Sequence, residues 1–370
     1  MNKKEISKYL IKDRIRNLNR TTNTLENRWG YLRFEKNERL CPFNKSLLQK
    51  FIKNIKDEHI SMYPDLNNTY KKLADFLKVK REEIFLAAGS DLGIKSIYEA
   101  CVKERDSIVL SSPCYAMYEV YAKMFGAIAK SIRIKENWSC DINKMLSQVD
   151  KHTKLFVLEV PSGSVGILPS ENDIIECAKF LLNKNIILLL DQAYPDFERE
   201  HYHIVKIVKK YPNVIISRSL SKMPGFAGLR IGYLIGNSEL INYISRVRPM
   251  HEITSISALA LDWVFDNPLL IEEYKQEIKY SKNYLKKQFL ELKIKFCDTC
   301  SNFMLIYFSN EKKIKGIIDK LKKDKILLKE PFKEKPIKGW IRLTIGTRYH
   351  SKKLISVFKK YYKKSNSKKE

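Results

Sequence analysis

The sequence predicts an α/β fold: a large domain with a mainly parallel sheet flanked by helices, joined to a smaller α+β domain. Three observations predict it. Short apolar runs alternate with amphipathic stretches from Ile84 to Ser217, and strands that alternate with helices make a parallel sheet covered on both faces. Past Met250 the character changes to one long lysine-rich helical stretch followed by few strands. At 370 residues the chain is long enough for one large or two modest domains. The expected division is 41–250 for the large domain, with 1–40 and 251–370 together forming the small one.

The elements follow in order. Residues 1–40 are polar and at best helical. Ser46 is placed to cap a helix running through Asn54. Tyr63-Pro64-Asp65 is an extended turn, since the residue before proline avoids the helical region. A helix over Thr69–Leu77 comes next. Strands are expected at Ile84–Ala87, Ser107–Leu110, Ile128–Ile134, Leu155–Val160, Ile186–Leu190 and Val214–Ser217. Helices over Asp91–Val102, Tyr115–Met124, Asp141–Val149 and Pro169–Leu182 lie between them. The small domain holds a helix over Pro268–Leu292, strands at Phe303–Phe308 and Ile341–Thr344, and a helix from Ser351. The last six residues read as a disordered tail.

Composition narrows the function classes. The longest apolar run, Ile186–Leu190, is far too short to span a bilayer, and the first thirty residues contain no apolar signal core. A cytoplasmic protein is expected, with no membrane partner. Of seven cysteines only Cys297 and Cys300 are closely spaced, and no second pair or histidine cluster completes a metal site; no metal is expected. The net charge of +27 raises nucleic-acid or anionic-membrane binding as a rival class. Yet the lysines are spread along helical faces without an arginine-aromatic groove or a helix-turn-helix, so no nucleic acid is expected. An anionic small-molecule substrate suits such a charge.

The chemistry concentrates in Ser217–Tyr233, SRSLSKMPGFAGLRIGY, which places one lysine, three glycines and two arginines in a strand-turn-strand unit. A lysine becomes a covalent catalyst where its neighbours disfavour the ammonium form. Lys222 with Ser219, Ser221 and Arg230 suits a ligand carrying an aldehyde and a phosphate, as pyridoxal phosphate does. Gly89-Ser90-Asp91 lies between a strand and a helix, where free N–H groups and the helix dipole make an anion site. Asp191 ends the apolar run Leu188–Leu190, a costly place for a carboxylate unless a cation, such as a protonated pyridine nitrogen, meets it. Arg342, amid apolar neighbours, suits a two-pronged clamp on a carboxylate or phosphate. A solvated lysine beside a glycine turn is the plain alternative for Lys222 alone.

These segments resemble fold-type I pyridoxal-phosphate enzymes, and within them the histidinol-phosphate aminotransferase group, from about Leu32 to Lys360. The resemblance implies pyridoxal 5'-phosphate as cofactor, with Lys222 bonded to its aldehyde carbon and serving as acid–base catalyst. It makes Asp191 the partner of the ring nitrogen, Tyr194 the partner of the ring's phenolic oxygen and Tyr115 the stacking aromatic. Ser90, Asp91, Ser219, Ser221 and Arg230 surround the phosphate. Tyr63 resembles a tyrosine that reaches the neighbouring subunit's phosphate, which implies a homodimer with shared sites. Asn37, with Glu35 and Glu38, keeps part of an N-terminal arm motif and with Arg342 and Arg348 is expected to bind substrate. One departure stands out. Where the family has asparagine beside the ring's phenolic oxygen, this chain has Gly163, in Pro161-Ser162-Gly163-Ser164-Val165-Gly166. The function implied is an aminotransferase for a small, phosphorylated amino acid or amine. A decarboxylase of a phosphorylated amino acid, like threonine-phosphate decarboxylases, remains the alternative.

Overall fold

The computed structural model describes residues 10–18, 27–194 and 204–364; the expected tail lies outside them, as do parts of the first forty residues. Twelve strands form three sheets among the described residues. The largest contains β2 (Ile84–Ala87), β3 (Ser107–Ser112), β4 (Ile128–Arg133), β5 (Thr153–Glu159), β6 (Ile187–Gln192), β7 (Val214–Ser219) and β8 (Gly232–Ile235). Their order is β2-β8-β7-β6-β5-β3-β4. Only the pairs that β8 makes, with β2 and β7, are antiparallel; the other four are parallel.

Period-two alternation in these strands sends side chains to two separate apolar layers. Val109, Phe156, Leu158, Leu188, Leu190 and Ile216 pack on one face. Ile108, Leu110, Leu155, Val157, Leu189 and Ile215 pack on the other, against the helices Ser90–Cys101 and Met117–Phe125. Every strand carboxyl end of the parallel set therefore emerges on one side of the sheet, where a ligand site is favoured.

The second body is built on β9 (Lys295–Cys297), β10 (Phe303–Tyr307) and β12 (Trp340–Thr344), antiparallel in the order β12-β10-β9. The N-terminal strand β1 (Leu32–Arg33) pairs in parallel with β11 (Ile326–Leu327), and Phe34, fully buried, enters the same apolar cluster as Met304, Ile341 and Phe358. The helix Leu269–Glu291 joins the bodies. Leu270 belongs to the large core, Tyr274, Ile278, Leu285 and Phe289 to the small one, and Ile271 packs against both.

Details differ from the sequence reading. The helix Lys45–Lys53 is capped by Asn44, whose side chain accepts from the N–H groups of Ser46 and Leu47, so Ser46 is inside the first turn. Helices at Ile204–Lys210, Ser238–Ser245, Ser255–Asp266 and Glu311–Lys323, and the short strands β1, β9 and β11, were not anticipated. The helix Ser255–Asp266 sends Ala258, Leu261, Trp263 and Val264 into the large core, past residue 250. Among the described residues no helix is long and apolar enough to cross a membrane.

Candidate active site

β6 carries Asp191 to the site. Its carboxyl is buried, accepting from the Tyr118 hydroxyl and from Ala193 N–H at 2.9 Å, and forms no ion pair among the described residues. Burial pushes it up to about 6; the two donors oppose the rise and Asp91 adds to it. A buried carboxyl that lacks a cation is what a ring N–H⁺ requires as its partner.

Tyr194, three residues on, turns its ring toward Lys222, whose Nζ lies 5.5 Å from the ring centroid. Burial alone would raise the Tyr194 phenol, but Lys222, Arg342 and the Asn37 amide together outweigh it and hold the phenol below its ordinary value. The Asn37 Nδ2 donates to the Tyr194 hydroxyl at 3.3 Å. Asn37 is fully buried and left-handed at φ +54. Its N–H donates to Thr344 Oγ1, its Oδ1 accepts from that hydroxyl, and its carbonyl accepts from Asn302 Nδ2. The arm residue expected to bind substrate therefore holds Tyr194 to the strand that carries Arg342. Lys222 Nζ itself donates to the Lys36 carbonyl at 2.8 Å, so the arm meets the lysine as well.

Behind Lys222 the turn makes a cradle. Ser219 Oγ accepts from Ser221 N–H at 3.1 Å. Gly89, at φ +86, precedes the helix Ser90–Cys101, and a Cβ built on it would come 2.6 Å from Arg230 Nη2. A Cβ on Gly232 would come 2.2 Å from Ser90 N. The two glycines thus let Arg230 and β8 close on a helix N-terminus, where N–H groups and guanidinium converge on an anion. Asp91 accepts from the hydroxyls of Tyr121, at 2.7 Å, and Tyr115, at 3.2 Å, and so orients the Tyr115 ring, which meets Tyr118 edge-on.

On the facing body, Arg342 Nη1 donates to the Gly163 carbonyl at 2.5 Å, while its Nε is buried without a partner among the described residues. Two expected residues stand apart. Arg348 opens the C-terminal helix, its N–H donating to Glu277 and its guanidinium over Tyr280, on the long helix rather than beside Arg342. Tyr63 is 83% exposed and stacked on His251 at 4.3 Å.

Two residues escaped the sequence reading. Lys329 is half-buried near Arg342, and burial, then the charge of Arg342, lower its amine to about 8. Glu159 ends β5 directly beside Asp191 in the sheet register. A polar residue closing an apolar strand was the available signal for Glu159; for Lys329, one lysine among many, there was none.

Comparison with known proteins fits this geometry. Residues 30–358 match the family Aminotransferase class I and II, and the chain belongs to it. Within it, the chain is similar to the histidinol-phosphate aminotransferase of Clostridium novyi, 30% identical over 332 residues that cover 89% of this chain and 91% of that one. It is also similar to that of Thermoanaerobacter pseudethanolicus, at 28% over 323 residues, 85% of this chain and 89% of the other. The structure of the histidinol-phosphate aminotransferase from Sinorhizobium meliloti in complex with pyridoxal-5'-phosphate shares the fold, with TM-score 0.80, 20% identity, and 88% and 89% of the two chains covered. The fold is that of the fold-type I aminotransferases.

The residues present fit pyridoxal 5'-phosphate. The amine of Lys222 beside Tyr194, the buried carboxyl of Asp191 with no ion pair among the described residues, and an anion cradle opened by two glycines match in kind an aldehyde, a ring nitrogen and a phosphate.

Proposed function

We propose that this protein is a pyridoxal-phosphate-dependent aminotransferase for a small phosphorylated amino acid or amine. The carrying observation is that Lys222 meets the Tyr194 ring, three residues past the buried Asp191 near the end of β6, with Arg342 close enough to lower the same phenol. A phosphorylated substrate is supported by the histidinol-phosphate aminotransferases among the relatives and by the paired cations Arg342 and Lys329.

Bound pyridoxal 5'-phosphate supplies an electron sink for the charge that develops at the substrate's α-carbon. The protein does the rest. Ser90, Ser219, Ser221 and Arg230 would hold the phosphate, and Tyr115 would cover the ring. The Asp191 carboxylate would accept from the ring N–H and favour the protonated nitrogen. Tyr194, oriented by Asn37, would give its hydroxyl to the phenolic oxygen. Lys222 Nζ takes and returns the α-carbon proton, and Arg342 binds an anionic group of the substrate. The test is to follow keto-acid formation and carbon dioxide release across phosphorylated and plain amino acids. Keto acid without carbon dioxide from a phosphorylated donor is expected; carbon dioxide as the main product would transfer the protein to the decarboxylases.

Lys329 adds a pH limb. Its amine is held near 8, so it is charged below that pH and neutral above it. The value of kcat/KM, which reports the free enzyme, should fall for a phosphorylated substrate as pH rises through about 8. Lys329→Met should remove that limb and lower kcat/KM at pH 7 by about tenfold, the worth of one charge-assisted hydrogen bond. An unchanged profile takes Lys329 out of the site.

We also infer a homodimer in the cytoplasm. Its support is the exposed Tyr63 ring, stacked on His251, which would complete the neighbour's phosphate site, and the absence of disulfides among the seven cysteines. Tyr63→Phe should raise the cofactor's dissociation constant about tenfold, measured by titrating apoprotein. A monomer with full activity would contradict the dimer. The domain division that the packing supports falls in the long helix between Leu270 and Tyr274, after the helix Ser255–Asp266.

A further inference from the structure

The parallel β5–β6 pair brings two acids, not one, to the site. Glu159 is the register partner of Asp191 and is 5% exposed. Its oxygens are fully engaged: Oε1 accepts from Tyr115 N–H at 2.5 Å, and Oε2 from Gly163 N–H at 2.8 Å and from Ser162 Oγ at 3.2 Å. One side chain thereby ties the loop after β3, which carries Tyr115, to the loop after β5, which carries Gly163. At Gly163 itself a Cβ would come 2.7 Å from Tyr194 Cε2. The Tyr194 ring occupies the room in which an asparagine side chain would start, so the loop is held by other means.

We propose that Glu159 is a positioning residue for the cofactor ring that stands in for the missing asparagine, clamping Tyr115 and the Gly163 turn and placing negative charge beside Asp191. The proposal rests on the reading of Tyr115 as the stacking residue of a pyridoxal-phosphate site. The groups whose charge Glu159 meets are Asp191 on β6, Cys114 before Tyr115, Tyr118 on the helix Met117–Phe125, Cys140, and Tyr194. Arg342 reaches the same turn through the Gly163 carbonyl. Burial, then Asp191, pushes the Glu159 carboxyl up to about 7, and its three donors oppose the rise. A negative charge here favours the protonated form of the bound chromophore, whereas an asparagine that donates to the phenolic oxygen favours the opposite form.

The experiment compares wild type, Glu159→Gln and Glu159→Asp by apoprotein melting, by cofactor titration and by the pH midpoint of the bound cofactor's visible band. For Glu159→Gln the melting temperature should stay within a few degrees, the cofactor dissociation constant should rise about tenfold, and the midpoint should fall by about one pH unit. Glu159→Asp keeps the charge but is too short to reach both amides, so it should weaken binding with the midpoint near that of wild type. A Glu159→Gln protein with unchanged affinity and midpoint overturns the proposal, and so does one whose affinity falls with the midpoint unmoved. Should the glutamine variant not fold, wild-type affinity in Glu159→Asp overturns it and weakened affinity supports it. A wild type that binds no cofactor overturns the underlying reading instead.

Discussion

Lys222→Ala is expected to lower turnover by at least about 10⁴-fold, the upper range for one positioned acid–base group, while the protein keeps its fold and still holds pyridoxal phosphate. The fold should survive because the amine's one hydrogen bond among the described residues is to the Lys36 carbonyl at the arm and its other contact is with the Tyr194 ring, neither of which is part of the large or the small core. Cofactor should be retained, more weakly, because the Gly89–Arg230 cradle and Asp191 do not depend on the amine. Two measurements separate the outcomes. Single-turnover kinetics reads the chemistry, and mass spectrometry after borohydride treatment reads covalent attachment, which wild type should show and the variant should not. Near-normal turnover in the variant would remove Lys222 from its role. A further effect should accompany the loss. Lys222 is the foremost of the groups that hold the Tyr194 phenol down against burial, so that phenol should ionise at higher pH in the variant than in wild type.

Arg342→Ala is expected to lower kcat/KM by two to four decades with the cofactor still bound. Removing one partner of a buried charge pair costs about 3 to 5 kcal/mol, and each 1.36 kcal/mol is about a factor of ten. Arg342 is only half-buried, which favours the lower end of that range. Its buried Nε, unpartnered among the described residues, marks donor capacity that an incoming carboxylate or phosphate would satisfy. Arg342→Lys should recover little, since an ammonium lacks the planar fork. If kcat/KM falls less than tenfold while Lys329→Met costs more, the anion-binding role belongs chiefly to the lysine.

Those residues were legible to very different degrees. Asp191 could be read because a carboxylate at the end of Leu188–Leu190 is anomalous within a few residues of local sequence. Lys222 and Arg230 share one turn, so chain proximity already implied spatial proximity. Glu159 lay in an equally suggestive place, yet its meaning comes from the register of β5 against β6, which one strand's sequence does not contain. Asn37 was found by resemblance, but as a residue for substrate; its bonds to Thr344, Asn302 and Tyr194 span separations that no local pattern encodes. Lysine-rich composition hid two more features. The helix Glu311–Lys323 was not anticipated among its lysines, although Ile314, Ile317 and Leu321 bury one side of it, and Lys329 was one cation among many. Arg348 shows the opposite case: the resemblance implied a substrate contact, and in the structure its N–H donates to Glu277 and its guanidinium lies over Tyr280, both on the long helix.

The helix Leu269–Glu291 has one further consequence. It is rooted in the large core at Leu270 and carries the small core along the rest of its 23 residues, about 35 Å of rod at 1.5 Å per residue. A rod held at one end is a lever. A tilt of about five degrees at Ile271 would sweep its far end through about 3 Å, roughly the length of one hydrogen bond. β12 rides on that load with Arg342, and Asn37 is bonded to β12 through Thr344. One small rotation at the root would thus change the gap between Arg342 and Lys222, and tug on Tyr194 through the Asn37 amide. Arg342 and the Asn37 bond to Tyr194 would move together, because both are tied to β12.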